Sequence, residues 1–177
     1  MRVKQSRPIV VRGAPGSAAK GRIALGHGVR QAALGRGGIR AVKREGDGGT
    51  PLGRFPVRQV LYRADRVARP RTRLPVHAIR AHDGWCDDPK SRNYNRLIRL
   101  PSRRGAEGLQ RADHLYDLVL ALGYNDRPRV KGKGSAIFVH LARPGFTPTD
   151  GCIALTRHDL TMLLAEVKRG TQIAILR

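Results

Sequence analysis

The segment IFVHLARPGFTPTDGCIAL, residues 137–155, contains a histidine at the end of an apolar run and, twelve residues later, a cysteine directly after a glycine. The apolar run 135–142 predicts a central strand that carries His140 near its end. A connection rich in proline, glycine and threonine then leads to Cys152. This connection is long enough to fold back, so the two side chains can meet at the hydrogen-bond distance that a thiol–imidazole pair needs.

A helix is predicted directly after this segment. Thr156 and Asp159 have the spacing of a capping box. Four apolar residues then fall on one helix face: Leu160, Leu163, Leu164 and Val167. The pattern predicts that Lys168 and Arg169 lie in the last turn and that Gly170 ends the helix. The sequence TQIAILR, residues 171–177, predicts a closing strand.

The rest of the chain favours β structure. Short runs at 7–13, 21–28, 38–46, 74–81 and 114–125 predict strands, and a turn cluster followed by a strand occupies 45–63. The polar segment 82–101 is typical of a long loop. The 177 residues therefore predict one mostly-β domain over residues 1–177, a twisted β-sandwich or sheet with one packed α-helix near the C-terminus.

The charge of the chain is strongly positive. Thirty-five Lys and Arg residues against 13 Asp and Glu give a formal net charge of +22. Such a field attracts polyanions, so nucleic acid, an anionic cell-wall polymer and a membrane surface are all candidate partners, while a solvated basic surface is the alternative. Neither a helix-turn-helix nor an aromatic RNA-binding motif accompanies the charge, which makes nucleic acid an unfavoured partner.

The remaining composition limits other functions. The only two cysteines, Cys86 and Cys152, allow at most one disulfide, which would silence Cys152. The acidic pair Asp87 and Asp88 lacks a histidine cluster with ligand spacing, so neither a metal nor another cofactor is predicted. The chain has no apolar stretch long enough for a membrane span. The run 9–11 is also too short for the core of a signal peptide.

The position of Cys152 in a turn favours a reactive thiol at the edge of a cleft. The glycine before it lets the backbone amides of Gly151 and Cys152 approach a substrate and stabilise an oxyanion, as acyl transfer requires. Positive charge at Arg143 and Arg157 favours the thiolate. The alternative is a buried structural cysteine.

Two motifs carry a resemblance to a known family. HLARPGFTPTDGCIAL resembles the active-site signature of the YkuD-type L,D-transpeptidases, and Thr50, Pro51, Gly53 and Phe55 resemble the Thr-Pro-x-Gly-x-Phe element of that fold. The resemblance implies that Cys152 is the acylated nucleophile and His140 its base. It also implies that the amides of Gly151 and Cys152 bind the oxyanion.

The sequence departs from the family pattern at several positions. Asp150 stands where the family commonly has histidine, Ala154 replaces a polar residue, and the spacer after His140 is short. These differences indicate a divergent branch. Asp150 either orients His140 or is an ordinary turn residue. The candidate substrate contacts are Trp85, Tyr124, Arg143 and Thr149. The alternative for Trp85 is loop packing, and the alternative for Tyr124 is a turn at the end of a strand.

By resemblance, the reaction is peptidoglycan cross-linking through a thioester on stem peptides. With water as the acceptor it becomes an L,D-carboxypeptidase reaction, and another cysteine acyltransferase or amidase on the same fold is a further alternative. A non-enzymatic nucleic-acid-binding module is the remaining alternative, and it is based on the positive net charge alone. We expect a monomer. The family implies a location in the periplasm or cell envelope, while the lack of a signal-peptide pattern leaves a cytoplasmic location open.

Overall fold

A computed structural model describes residues 7–101 and 105–177 of the chain. It is mostly β structure with one α-helix near the C-terminus, which confirms the predicted fold class. The described elements are β1 (Ile9–Ala14), β2 (Ser17–Leu25), β3 (Gly28–Ala33), β4 (Ile39–Arg40), β5 (Thr50–Pro51), β6 (Gly53–Tyr62), β7 (Val76–Ala78), β8 (Asp83–Cys86), β9 (Leu97–Arg99), β10 (Ala106–Gly108), β11 (Leu118–Leu122), β12 (Phe138–Leu141), β13 (Ile153–Leu155), α1 (Arg157–Glu166) and β14 (Gln172–Leu176).

The main sheet of the described chain has the strand order β11-β12-β13-β3-β2-β1-β14-β6-β7. Strand β11 also pairs with β6, so the strand order closes on itself. Strands β11 and β12 are buried along their whole length, which explains their continuous apolar sequences. Strand β12 pairs with β13 in parallel and in register, with His140 opposite Ala154. This pairing places the end of β12, which carries His140, beside β13, which directly follows Cys152.

Helix α1 packs on the main core. Leu160, Leu163 and Leu164 are buried in the same cluster as the apolar side chains of the main sheet. Thr156 caps the helix, since its hydroxyl accepts a hydrogen bond from the Asp159 amide at 3.1 Å. The hydroxyl also donates to the Asp159 carboxylate at 2.6 Å, so Asp159 does not reach back to a backbone amide as a capping box would require.

Several predicted boundaries were wrong. The helix ends at Glu166, so Lys168 and Arg169 follow it rather than forming its last turn. The predicted strand 38–46 is reduced to β4, because the chain turns where the Asp47 carboxylate accepts hydrogen bonds from two backbone amides. The predicted loop 82–101 contains β8 and β9, which form a three-stranded sheet with β10. These strands have four, three and three residues, too few to show an alternating pattern.

Candidate active site

A cleft of about 470 Å³ lies where β12, β13 and the small sheet meet. Six of the predicted site residues line it: Trp85, His140, Arg143, Thr149, Asp150 and Cys152. Tyr124 is not among its lining residues. The Tyr124 ring packs edge-on against Phe55, and its hydroxyl donates to the backbone carbonyl of Lys133. Tyr124 therefore supports the loop beside the cleft, and the predicted substrate contact has no geometric support.

His140 is a buried residue of β12 with 6% of its surface exposed. Its Nδ1 lies 2.9 Å from the carbonyl oxygen of Leu141. Because a carbonyl only accepts hydrogen bonds, Nδ1 carries the proton of the neutral ring. Burial lowers the pKa of His140 to about 4, and the positive charges of Arg111 and Arg143 act in the same direction against the Leu141 hydrogen bond. The imidazole is therefore neutral at pH 7, with Nε2 as its basic atom.

Cys152 is half-buried, and its sulfur is in contact with the chain that leads into β12. The Sγ atom donates to the carbonyl of Ala136 at 3.2 Å and accepts from the amide of Phe138 at 3.4 Å. Desolvation raises the pKa of Cys152 to about 12, with further contributions from Glu107 and Asp150, while the Phe138 amide and Lys43 oppose the rise. Both cysteines are free thiols, so no disulfide silences Cys152.

The thiol and the imidazole line the same cleft without bonding to each other. Across residues 7–101 and 105–177, no hydrogen bond joins the Cys152 sulfur to His140. The sulfur is instead held by the backbone of the β12 segment that carries the histidine. The thiol must release its hydrogen bond to the Ala136 carbonyl before the imidazole can accept its proton.

The loop before Cys152 is anchored to the upstream threonine-proline element. The Thr149 amide donates to the carbonyl of Leu34 at 2.9 Å, and the Arg36 amide donates back to the carbonyl of Thr149 at 2.8 Å. The hydroxyl of Thr50 accepts a hydrogen bond from the Gly35 amide at 2.8 Å. Thr50 thus holds the segment on which the cysteine loop rests. This contact links the two sequence motifs in space.

Of the two backbone amides predicted to bind an oxyanion, one already has a hydrogen-bond partner and the other has none among the described residues. The Gly151 amide donates to the Thr149 hydroxyl at 3.2 Å, so it is engaged rather than aimed at the cleft. Thr149 in turn donates to the Cys152 carbonyl at 2.7 Å, which is a structural role. The Cys152 amide makes no hydrogen bond with any residue that the structure describes. This amide is the one available to an oxyanion.

Asp150 does not contact His140. Its side chain is 83% exposed and pairs with Arg36 across the mouth of the cleft. Because the Leu141 carbonyl already fixes the imidazole, Asp150 is a turn residue rather than the orienting carboxylate of a triad. Its negative charge also contributes to the raised pKa of Cys152.

Trp85 and Arg143 form parts of the cleft rim. The Trp85 indole packs edge-on against Phe138 with ring centroids 5.1 Å apart, and its Nε1 donates to the Asn95 side chain at 2.9 Å. The Arg143 side chain is half exposed and lies 3.7 Å from the Asp113 carboxylate. Arg143 therefore presents a charged group that is accessible to a ligand at the rim.

Lys43 is a site residue that the sequence analysis missed. Its side chain is only 5% exposed, and its Nζ lies 2.7 Å from the Asp47 carboxylate. A Cβ atom added at Gly151 would stand 3.6 Å from this ammonium. Burial opposes ionisation of Asp47, but the hydrogen bonds from Lys43 and from two backbone amides outweigh it and lower the Asp47 pKa. A fixed cation therefore lies beside the residue that precedes the candidate nucleophile.

A second missed group surrounds Tyr116. The Tyr116 hydroxyl donates to Glu107 at 2.8 Å, and its ring packs edge-on against His140 with centroids 5.5 Å apart. The Arg111 guanidinium lies 5.1 Å from the centroid of the Tyr116 ring and also contacts Glu107 at 3.3 Å. Burial raises the pKa of Glu107, with support from Asp87 and Asp150 and opposition from Tyr116 and Arg111.

Within the described residues, no group of three or more histidine, cysteine or acidic side chains is placed to hold a metal ion. In the same part of the chain, no helix has the length and apolar character that crossing a membrane would require. The cleft itself presents a thiol, a neutral imidazole, an unengaged amide and flanking charges.

Comparison with known proteins identifies the family of the chain. The sequence model of YkuD, the L,D-transpeptidase catalytic domain, matches residues 14–175. No curated protein and no solved structure gives a match. The chain belongs to the YkuD family of L,D-transpeptidase catalytic domains, whose members act on peptidoglycan and are typically found in the cell envelope.

Proposed function

We propose that this protein is a cysteine-dependent L,D-transpeptidase in which Cys152 is the acylated nucleophile and His140 its general base. The main support is that Cys152 and His140, from two adjoining segments of the chain, line one cleft and that Cys152 is not in a disulfide. Peptidoglycan stem peptides are the proposed substrates, and the cell envelope is the proposed site of action. The basic residues of the cleft suit the carboxylates of such peptides.

The protonation states of the pair support a coupled attack. Desolvation keeps the thiol of Cys152 protonated at pH 7, and burial keeps His140 neutral. The hydrogen bond from Nδ1 to Leu141 leaves Nε2 to take the thiol proton. Attack on a carbonyl therefore accompanies proton transfer, rather than following the formation of a stable thiolate–imidazolium pair.

The proposed reaction has two halves. In the first, the Cys152 sulfur adds to an amide carbonyl of the donor stem while its proton passes to Nε2 of His140. The Cys152 amide stabilises the oxyanion, and His140 then donates the proton from Nε2 to the departing amine. The products are a thioester and a free amine. In the second half, an acceptor adds to the thioester, loses a proton to His140 and expels the Cys152 sulfur.

Lys43 supplies an additional electrostatic contribution in this proposal. Its ammonium is nearly buried beside Gly151, and it opposes the rise in the pKa of Cys152. A positive charge at this position stabilises negative charge that develops on the sulfur or on the carbonyl oxygen. The Asp47 carboxylate fixes the position of the ammonium.

Acylation by a carbapenem tests the proposed nucleophile. Intact-mass analysis of the wild-type protein is expected to show one added molecule of the ring-opened drug. Cys152→Ser is expected to show none, whereas the matched control Cys86→Ser retains the adduct because Cys86 is fully buried away from the cleft. An adduct on Cys152→Ser, or its loss in Cys86→Ser with the fold intact, would refute Cys152 as the nucleophile.

A further inference from the structure

We propose that Glu107 binds the acceptor amine, so that the acyl-enzyme is resolved by an amine in preference to water. This inference rests on the proposed acylation of Cys152. It concerns only the second half of the reaction and assigns a carboxylate that neither family motif contains. It also decides between the transpeptidase and carboxypeptidase reactions that the sequence leaves open.

Glu107 lies on the imidazole side of the cleft. It belongs to β10, where it pairs in register with Trp85 of β8, and both residues line the cleft. The Tyr116 hydroxyl connects Glu107 to the ring that packs against His140. Glu107 and Cys152 also interact electrostatically, since the carboxylate contributes to the raised pKa of the thiol. The carboxylate therefore acts electrostatically on the thiol and is connected to the imidazole through Tyr116.

One oxygen of Glu107 is available. Both of its hydrogen bonds, from Tyr116 at 2.8 Å and from Arg111 at 3.3 Å, go to Oε1. Oε2 accepts no hydrogen bond from any residue in the described part of the chain. Arg111 makes its shorter contacts, 2.8 and 2.7 Å, with Asp113. Because Arg111 is engaged mainly by Asp113, Glu107 retains the capacity to pair with a second cation.

The chemistry of thioester aminolysis requires the acceptor on this side. The amine nitrogen forms a bond to the thioester carbonyl carbon, the carbon–sulfur bond breaks, and the proton lost by nitrogen passes through His140 to the departing sulfur. The acceptor nitrogen must therefore lie within reach of both His140 and the thioester carbonyl. Glu107 is the carboxylate linked to His140 through Tyr116, so an amine that it holds lies on the imidazole side of the cleft.

The charge of the protein favours the use of such a carboxylate. A primary amine is protonated at neutral pH, and a chain with a net charge of +22 repels it. Of the other cleft carboxylates, Asp150 is paired with Arg36 and Glu45 accepts a hydrogen bond from Tyr94. Asp87 is exposed to solvent and has no contact that links it to His140 among the described residues. Burial also raises the pKa of Glu107, which makes its carboxylate a better acceptor of the proton that the ammonium must lose before attack.

The test measures how the acyl-enzyme partitions between two acceptors. Wild-type protein, Glu107→Gln and Glu107→Asp are incubated with a tetrapeptide stem, with and without a second stem that offers a free amine. Products are separated by mass. Glu107→Gln is expected to retain acylation by a carbapenem at no less than the wild-type rate, because removing the carboxylate lowers the thiol pKa, while its ratio of aminolysis to hydrolysis falls by about tenfold or more. Glu107→Asp is expected to keep aminolysis with a raised KM for the amine, because the charge remains at a shorter reach.

Each failure has a separate meaning. Wild-type protein that is not acylated at Cys152 refutes the proposed function. If acylation is normal, an unchanged partition ratio in Glu107→Gln refutes the role of Glu107, and so does wild-type protein that gives only hydrolysis when the amine is present. Loss of carbapenem acylation in folded Glu107→Gln would instead place Glu107 in the first half-reaction and also overturn the inference. If Glu107→Gln does not fold, Glu107→Asp decides, since an unchanged KM for the amine contradicts the proposal.

Discussion

The Nδ1 atom of His140 lies 2.9 Å from the carbonyl oxygen of Leu141, the next residue in the same strand. A backbone acceptor thus fixes the tautomer of the ring without help from an acidic side chain. The carboxylate nearest in sequence to Cys152, Asp150, pairs with Arg36 instead. The orientation of the candidate base is therefore a property of strand β12 itself.

The first prediction concerns Asp150. Because Asp150 is exposed and paired with Arg36, Asp150→Asn is expected to change the rate of carbapenem acylation by no more than about threefold. A triad carboxylate would cost several orders of magnitude on the same change. The measurement is the second-order acylation rate constant, and Arg36→Gln is the matched control. A drop of a hundredfold or more in Asp150→Asn would show that Asp150 acts on the imidazole.

The second prediction is a pH dependence of stability that originates at His140. Burial lowers its folded pKa to about 4, while the unfolded value is about 6.5. The unfolded state binds the proton first, so this contribution is present above pH 6.5 and is lost as the pH falls towards 4. The shift corresponds to about 3 kcal/mol. Urea unfolding between pH 4 and 7 is expected to show a shallower acid loss in His140→Asn than in the wild type.

The control for this pH experiment is the exposed His27, for which His27→Asn is expected to follow the wild-type curve. Lowered carboxyl pKa values, such as that of Asp113 at about 2, affect stability below this window and leave the comparison unchanged. If His140→Asn and the wild type lose stability in parallel from pH 6.5 to 4, the buried neutral state of His140 is wrong.

The sequence predicted the parts of the fold that have a clear period. The buried strands β11 and β12 appear as continuous apolar runs, and the apolar face of α1 follows helical spacing. The shared cleft of His140 and Cys152 was predictable because a strand end and a following turn carry them. The small sheet was not predicted because its strands are too short to establish alternation. Glu107, which lies on one of these strands, was therefore not predicted to line the cleft.

Lys43 was missed for a different physical reason. The alternation of the segment 38–46 favoured a strand, in which a lysine is normally solvated. In the structure, a turn organised by Asp47 buries the lysine side chain against Gly134 and directs its ammonium to Gly151. The contacts join Lys43 to residues about 90 and about 110 positions away, and no local pattern in the sequence encodes them.

The third prediction concerns the glycine before the candidate nucleophile. Gly151 has a φ of +128°, and an added Cβ would lie 2.7 Å from the backbone oxygen of Gly49. Gly151→Ala is expected to cost about 1–3 kcal/mol of stability and to displace Cys152, with a large loss of acylation. Gly132→Ala is the control that measures backbone strain without a clash, because Gly132 also has a positive φ but no atom lies within 4 Å of its added Cβ. Equal urea midpoints for the two variants would contradict the predicted clash.

The fourth prediction concerns the Lys43 charge. In a Cys86→Ser background, where Cys152 is the single thiol, Lys43→Met is expected to slow alkylation by iodoacetamide at pH 9 by about tenfold. Removing the cation raises the thiol pKa further and reduces the thiolate fraction. Lys43→Arg keeps the charge and is expected to retain most of the rate. Because Lys43→Met also leaves the Asp47 carboxylate beside the site, the double variant Lys43→Met/Asp47→Asn separates the two charges. If the lysine charge acts on the sulfur directly, the double variant remains slower than Asp47→Asn alone, whereas equal rates for those two proteins would show that Lys43 only neutralises Asp47.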